Sequence, residues 1–443
     1  MTKLHRAGPL FTDLYELTMA ASYFAHQVFS TATFSLFIRE NYLKRNFFVA
    51  AGLEDVLNEL AAFRFSEQDI TYLQTTGIFS KDFISYLAGL RFSGKIFAMP
   101  EGTIFFANEP VLEVTAPIIE AQLIETFLLN TIGFQSMIAS KAARCVHVAG
   151  NHPLIDFSLR RTQGQDAGNK VARSTYLAGF AATSNVLAGQ LYGIPISGTM
   201  AHSYIEAFSG DLAAFSAYSE TFPDNAIFLI DTYNTIDGAK HAVTVAKQMK
   251  EKGHSLIGVR LDSGDMVELS QKVRKIFDDA GLFDVKIFAS SGFDEFKIAK
   301  VIAQGAEIDA FGVGTKVGVS ADAPYLDVVY KMVHFKDRDV RKLSPGKITL
   351  SGEKQVFRKS DPNGRYLEDI IGLRDDIVDQ GTPLLKKVME NGEILQPHPP
   401  LQAIQKSFKK NFVLLDDRYK SISEYTPYPV KLSEHLKRLQ ERT

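Results

Sequence analysis

The fold is decided by residues 226–265, where AIFLIDTYNT (226–235), IDGAKHAVTVAKQMKEKG (236–253) and SLIGVRLDSGD (255–265) follow one another. The first and third are apolar runs that end in polar residues, and the middle one has helical spacing. VKIFASSGF (285–293) and IDAFGVGTKV (308–317) repeat the pattern downstream, and PLIDFSLRR (153–161) and GIPISGTMAH (193–202) precede it. A small-residue helical run fills the interval up to Leu191. Apolar strands alternating with helices predict a parallel sheet buried on both faces. Six such units favour a β/α barrel, open or closed, over a short open sheet.

The flanks have a different texture. A helix is expected within 8–29, with Thr12 as N-cap and Asp13 in its first turn. FSLFIRE (34–40), NFFVAAG (46–52) and KIFAMPEGTIFFANEPVLEVTAP (95–117) read as strands and turns, with LEDVLNELAAF as a helix. Beyond about 325, VVYKMVHFK, GKITLSG, KQVFRKS and DPNGRYLEDIIGL restore the β pattern. Residues 1–118 and 325–443 are therefore expected to join into one β-rich α+β domain, with 119–324 forming the barrel. A length of 443 residues suits two domains.

Bulk properties exclude several classes. Lys+Arg 49 against Asp+Glu 51 leaves a formal net charge of −2, so no global basic field points to nucleic acid or a membrane surface. The single cysteine, Cys145, excludes an internal disulfide and a cysteine-based zinc site. The start MTKLHRAGPLF has no signal-peptide core, and no window approaches the ~20 apolar residues of a membrane helix. A soluble, cytoplasmic protein is expected.

Barrel chemistry belongs at the C-terminal ends of strands. Those ends carry Arg160 and Arg161, Thr199 and His202, then Asp231, then Arg260, Asp262 and Asp265, then Ser290, Ser291 and Gly292, and finally Gly312, Gly314 and Thr315. Arginines hold carboxylates or phosphates through paired hydrogen bonds. Glycines beside Ser or Thr let backbone N–H groups approach a phosphate. The pair Asp262 and Asp265 suits ribose hydroxyls or a phosphate-bound Mg2+. A phosphorylated sugar with an anionic co-substrate fits this set. Each member also has an ordinary reading: Asp, Ser and Thr cap helices after strands, and a lone His or Arg at a strand end commonly serves structure.

Five ordered stretches, TDLYELTMA (12–20), DFSLRRTQGQDA (156–167), SGTMAHSYIEAF (197–208), GVRLDSGD (258–265) and FGVGTKV (311–317), resemble nicotinate phosphoribosyltransferases. The resemblance implies the type II phosphoribosyltransferase fold, an irregular β/α barrel beside a β-rich domain built from both chain ends. It implies synthesis of nicotinate mononucleotide and pyrophosphate from nicotinate and phosphoribosyl pyrophosphate, coupled to ATP hydrolysis, with Mg2+ accompanying the phosphates, in NAD salvage. It also implies a homodimer with shared active sites, in which Tyr15 reaches over the nicotinate ring of the partner subunit. On the matching positions, His202 takes the phosphoryl group from ATP and Asp231 orients it. Phe157 stacks on the pyridine, Arg160 and Arg260 flank carboxylate and phosphates, and Thr199 hydrogen-bonds nicotinate. Asp262 holds ribose hydroxyls, while Ser291, Gly292, Gly314 and Thr315 lie at the phosphate. No protein metal ligands are assigned. A nicotinamide-preferring relative and a non-catalytic phosphate-binding barrel are the alternatives. Met200, which accepts poorly from an amide N–H2, argues against the first, and the intact His202, Asp231, Arg160 and Arg260 argue against the second.

Overall fold

The computed structural model describes residues 7–39, 45–344 and 349–443. The chain divides into two units, one running to Ser140 and resuming over Ala323–Thr443, the other Lys141–Asp322. The unit boundary at 140 lies beyond the expected 118. The helix Ile118–Leu123 and the first turns of Glu125–Ala149 contribute Ile119, Leu123, Ile124 and Leu128 to the apolar core of the β-rich unit. Burying that stripe holds residues 119–140 with the strands that precede them.

In the β-rich unit, an antiparallel sheet of seven strands runs in the order 338–339, 328–335, 31–38, 110–117, 95–98, 386–390, 393–394. Thr31–Ile38, from the N-terminal part, lies between Val328–Phe335 and Pro110–Pro117. Both chain ends thus build one sheet, and Phe34 stacks on Tyr330 with ring centroids 4.6 Å apart. The first helix spans Leu14–Ala25, and Asp13 rather than Thr12 occupies its N-cap position. GKITLSG, expected as a strand, lies partly outside the described residues, and its described part is not a strand.

The second unit carries a curled parallel sheet of six strands in the order 182–183, 154–156, 310–313, 286–289, 258–261, 227–229. Every neighbouring pair is parallel. Its strands are mostly buried, as their apolar runs require, and helices Thr235–Glu251, Met266–Asp279 and Glu295–Ala303 follow three of them. Where the first of these helices begins, Gly238 lies so close to the strand end that a Cβ would sit 2.2 Å from the Ile230 carbonyl oxygen.

The sheet departs from expectation at one place. Residues 193–202 do not form a strand; they touch the sheet through a single bridge between Ile196 and Thr183. Pro195 has no N–H to donate, and Gly193 adopts a left-handed φ of +65° after the helix Val186–Tyr192. The short strand Ala182–Thr183 takes the edge position instead, inside the run that the sequence reads as continuous helix. The result is a half-barrel whose edges are 182–183 and 227–229.

Candidate active site

The polar strand ends of the second unit converge. Three of their carboxylate and amide groups are helix caps: Asn234 accepts from Ile236 N and Asp237 N, Asp265 from Val267 N and Glu268 N, and Asp294 from Lys297 N. For Asp265 the capping role accounts for the residue. The remaining groups form a connected cluster.

Arg260, on the strand Gly258–Leu261, donates through Nη1 to the Thr199 hydroxyl. Its Nε is buried and has no hydrogen-bond partner among the described residues. Burial lowers the affinity of this guanidinium for its proton, Asp262 and Asp231 favour the charge, and Arg160 opposes it. A half-buried cation with a buried, unspent donor suits an anion. Arg160 itself lies on the exposed 3-10 turn Leu159–Arg161.

That turn is anchored by Asp156. One of its carboxylate oxygens accepts from Ser158 N at 2.9 Å and Ser158 Oγ at 2.5 Å, and the other from Thr183 Oγ1 at 2.8 Å. Burial pushes the Asp156 carboxyl up, against these bonds. Phe157 N donates to the Val313 carbonyl at 2.9 Å, and its ring lies against Gly312, where a Cβ would sit 2.5 Å from a ring carbon. The absence of a side chain at Gly312 therefore sets the position of the Phe157 ring.

His202 begins the short helix His202–Glu206. Its Nδ1 is 3.1 Å from Thr232 Oγ1, its Nε2 is 3.9 Å from Asp262 Oδ2, and its side chain is 41% exposed. Asp231, expected to orient this imidazole, makes other bonds. Its Oδ2 accepts from Asp262 N at 2.9 Å and Ser263 Oγ at 2.6 Å. Its Oδ1 is buried with no hydrogen-bond partner among the described residues. Thr232, the next residue, takes the imidazole instead. Both residues lie in the turn that follows the strand Ile227–Leu229, and their side chains take different partners there. Asp262 also accepts a hydrogen bond from the buried Ser290 hydroxyl.

At the next strand end, Ser291 has φ +97°, an unusual left-handed value for a residue with a Cβ, and Gly292 follows at +63°. Lys297 Nζ donates to the Ser291 carbonyl at 2.6 Å, and Lys316 Nζ pairs with Asp294 at 2.7 Å. Burial lowers the Lys297 ammonium's proton affinity, and neighbouring Lys316 adds to the effect. Neither lysine stands at a strand end; both were missed because they lie one helical turn or one residue beyond. Scanning one turn further along each following helix would find them. Gly314 precedes the four-residue helix Thr315–Gly318, which leaves Thr315 exposed. Tyr15 lies in the other unit, on Leu14–Ala25, with 46% of its surface exposed. Burial and the nearby Glu125 and Glu16 push its phenol up.

The comparisons with known proteins cover nearly the whole chain. Residues 10–133 match the nicotinate phosphoribosyltransferase N-terminal domain, 153–352 the nicotinate phosphoribosyltransferase family, and 380–440 the C-terminal domain of these proteins. A nicotinate phosphoribosyltransferase of Mycobacterium tuberculosis is 46% identical over 432 residues, covering 97% of this chain and 92% of its own. One from Bacillus subtilis is 40% identical, covering 96% and 93%. The crystal structure of human nicotinic acid phosphoribosyltransferase matches with a TM-score of 0.88 at 30% identity, covering 97% of this chain and 99% of that one. A nicotinate-nucleotide pyrophosphorylase structure from Pyrococcus furiosus matches at 0.76 and 25% identity, covering 94% and 99%. Identity sustained over nearly the full length of both partners, with three family domains in order, places the chain in the nicotinate phosphoribosyltransferase family.

Proposed function

We propose that the polar end of the half-barrel binds nicotinate and phosphoribosyl pyrophosphate and joins them into nicotinate mononucleotide, with ATP hydrolysis coupled through a phosphohistidine at His202. The family assignment supports the phosphoribosyl transfer. The observation that carries the choice of an anionic pyridine is Arg260, whose buried, unspent Nε stands beside Thr199. A carboxylate satisfies that donor, whereas a neutral amide leaves the guanidinium uncompensated.

In the transfer, the pyridine nitrogen forms a bond to C1 of the ribose while the bond from C1 to the pyrophosphate oxygen breaks. Positive charge develops on the sugar and negative charge on the leaving group. The chain positions both reactants and stabilises the departing charge. Phe157 stacks on the ring. Arg160 and Arg260 face carboxylate and phosphate, Asp262 receives ribose hydroxyls, and Ser291, Gly292, Gly314 and Thr315 line the phosphate. Lys297 and Lys316 add cationic support there. Bound with the phosphates and held by Asp231 and Asp262, Mg2+ would supply charge neutralisation. The partnerless Asp231 Oδ1 and the half-exposed Asp262 fit its hard oxygen chemistry.

When Nδ1 of His202 donates to Thr232 Oγ1, Nε2 keeps its lone pair. That nitrogen attacks the γ-phosphorus of ATP and ADP leaves, with the Asp262 carboxylate beside it; water then attacks the phosphorus, the N–P bond breaks and inorganic phosphate departs, restoring the imidazole. The shared-site homodimer, with Tyr15 as a contribution from the partner subunit, belongs to the same proposal. Among the described residues no helix is long and apolar enough to cross a membrane.

The test measures nucleotide formation from nicotinate and from nicotinamide, with and without ATP, in wild type and His202→Ala. The expected result is a strong preference for nicotinate. ATP stimulation and an acid-labile phosphate should both be confined to the protein with His202. Equal use of nicotinamide sinks the Arg260 reading, and ATP stimulation that survives His202→Ala sinks the phosphohistidine.

A further inference from the structure

We propose that Glu54, Glu101 and His398 of the β-rich unit form a divalent-cation site, suited to a borderline transition ion such as Zn2+. One donor atom from each residue lies within 4.8 Å of the other two. His398 Nε2 is 3.1 Å from Glu101 Oε2. Two donors bound to one ion at ~2.0–2.1 Å, at angles between octahedral and tetrahedral, stand about 3–3.4 Å apart. The observed spacing is that of a hydrogen-bonded ion pair, and an ion can replace the shared proton without the two groups moving apart.

The orientation of the ring supports the assignment. His398 Nδ1 is 3.2 Å from the Pro399 carbonyl oxygen, which can only accept, so Nδ1 carries hydrogen. Without an ion, Nε2–H donates to Glu101 Oε2 in an ion pair; an ion that takes the place of this proton meets the Nε2 lone pair and the carboxylate together. This backbone lock on the far nitrogen is the arrangement that orients a metal-binding histidine. Glu101 is equally fixed: its side chain is 1% exposed, and its Oε1 accepts from Gly52 N at 2.5 Å. Glu54 stands in the first turn of the helix Leu53–Ala61, whose N-cap is Gly52.

A second observation is the access route. A cavity of about 400 Å3 opens beside the cluster, lined by Glu54, His398 and the Asn58 side chain among others. It leaves room for water or Asn58 to complete the ion's coordination. The three ligands come from sequence positions up to 344 residues apart (398 − 54). A bound ion therefore clips the segment before the helix Leu401–Leu414 onto the turns at 52–54 and 101. Its expected role is structural, and it is independent of the transfer chemistry in the other unit.

The experiment uses the full chain, stripped with EDTA, incubated with Zn2+ alone and passed through a desalting column before metal analysis. His202→Ala is included so that an ion held at His202 and Asp262 is counted separately. The expected result is one Zn2+ per chain retained by wild type and by His202→Ala. His398→Ala and Glu54→Gln should lose it, with affinity weakened about 100-fold or more. The melting temperature of wild type should rise with Zn2+ by on the order of 5 °C, and those of the two variants should not. Co2+ should give the visible absorption of a nitrogen–oxygen site in wild type and His202→Ala, but not in His398→Ala or Glu54→Gln. No retained metal in wild type overturns the proposal, as does retention unchanged in both His398→Ala and Glu54→Gln.

Discussion

Replacing Arg260 with lysine tests the site most directly. The substitution keeps a positive charge beside Asp231 and Asp262, so neither carboxylate loses its cation. It removes the Nε–H that has no protein partner, and it removes the planar fork that reaches Thr199. A hydrogen bond to a charged group is worth about 1.5–3 kcal/mol. If the lost donor serves the nicotinate carboxylate, kcat/KM falls by about 10- to 150-fold, at roughly 1.4 kcal/mol per decade. Stability should move by under about 1 kcal/mol, because the charge balance is kept. The assay is steady-state nucleotide formation with nicotinate varied at saturating phosphoribosyl pyrophosphate, paired with thermal melts of the same preparations. A variant within about threefold of wild type in kcat/KM would refute the reasoning. So would a melting temperature that collapses along with activity, since Arg260 would then be a structural ion-pair partner.

Four further outcomes follow from particular contacts. Gly312→Ala puts a Cβ 2.5 Å from the Phe157 ring, so the ring must move; KM for nicotinate should rise by at least about fivefold, equivalent to about 1 kcal/mol, while the fold persists. Thr232→Val removes the hydroxyl beside His202 Nδ1 and should reduce ATP stimulation several-fold, leaving the ATP-independent rate largely intact; unchanged stimulation would exclude Thr232 as the orienting group. Glu295→Gln leaves the buried Lys141 and Arg144 without their shared carboxylate and should cost about 3–5 kcal/mol in denaturant unfolding. Burial pushes the Asp376 carboxyl up, but the Ser433 hydroxyl, His435 and the Leu373 amide outweigh it and hold it below the usual range. Its stabilisation is thus present above the unfolded carboxyl's pKa of ~3.9 and is lost as pH falls through the lower folded value. The stability gap between wild type and Asp376→Asn should narrow across that acid window, and a gap constant from pH 6 down to about pH 2.5 would contradict the sign.

The strands at 154–156, 227–229, 258–261, 286–289 and 310–313 were legible because a buried parallel strand must be apolar at successive positions. The stretch 193–202 looked similar and failed: its pairing with the sheet is confined to Thr183, because Pro195 lacks an N–H and Gly193 turns left-handed, and hydropathy registers neither. Asp265 and Asp262 are three residues apart with the same chemistry in sequence. One caps a helix and the other faces His202, a distinction made by backbone direction after the strand. The unit boundary moved from 118 to 140 for a comparable reason. Residues 119–140 are helical like the region that follows, but their apolar face is buried with the strands before them.

By itself, the sequence determined the strand–helix alternation, the polar character of each strand end, the joining of both chain termini in one β-rich unit and the family. All of these rest on patterns of residue type along the chain. Only the tertiary structure decided the pairings: Arg260 with Thr199, His202 with Thr232 and Asp262, Asp231 with the Asp262–Ser263 backbone and hydroxyl, and Glu101 with His398. Each joins residues at least 30 positions apart. Their meeting depends on which strands are neighbours in the sheet, on the register between them and on where each turn releases the chain, and hydrophobic periodicity specifies none of these.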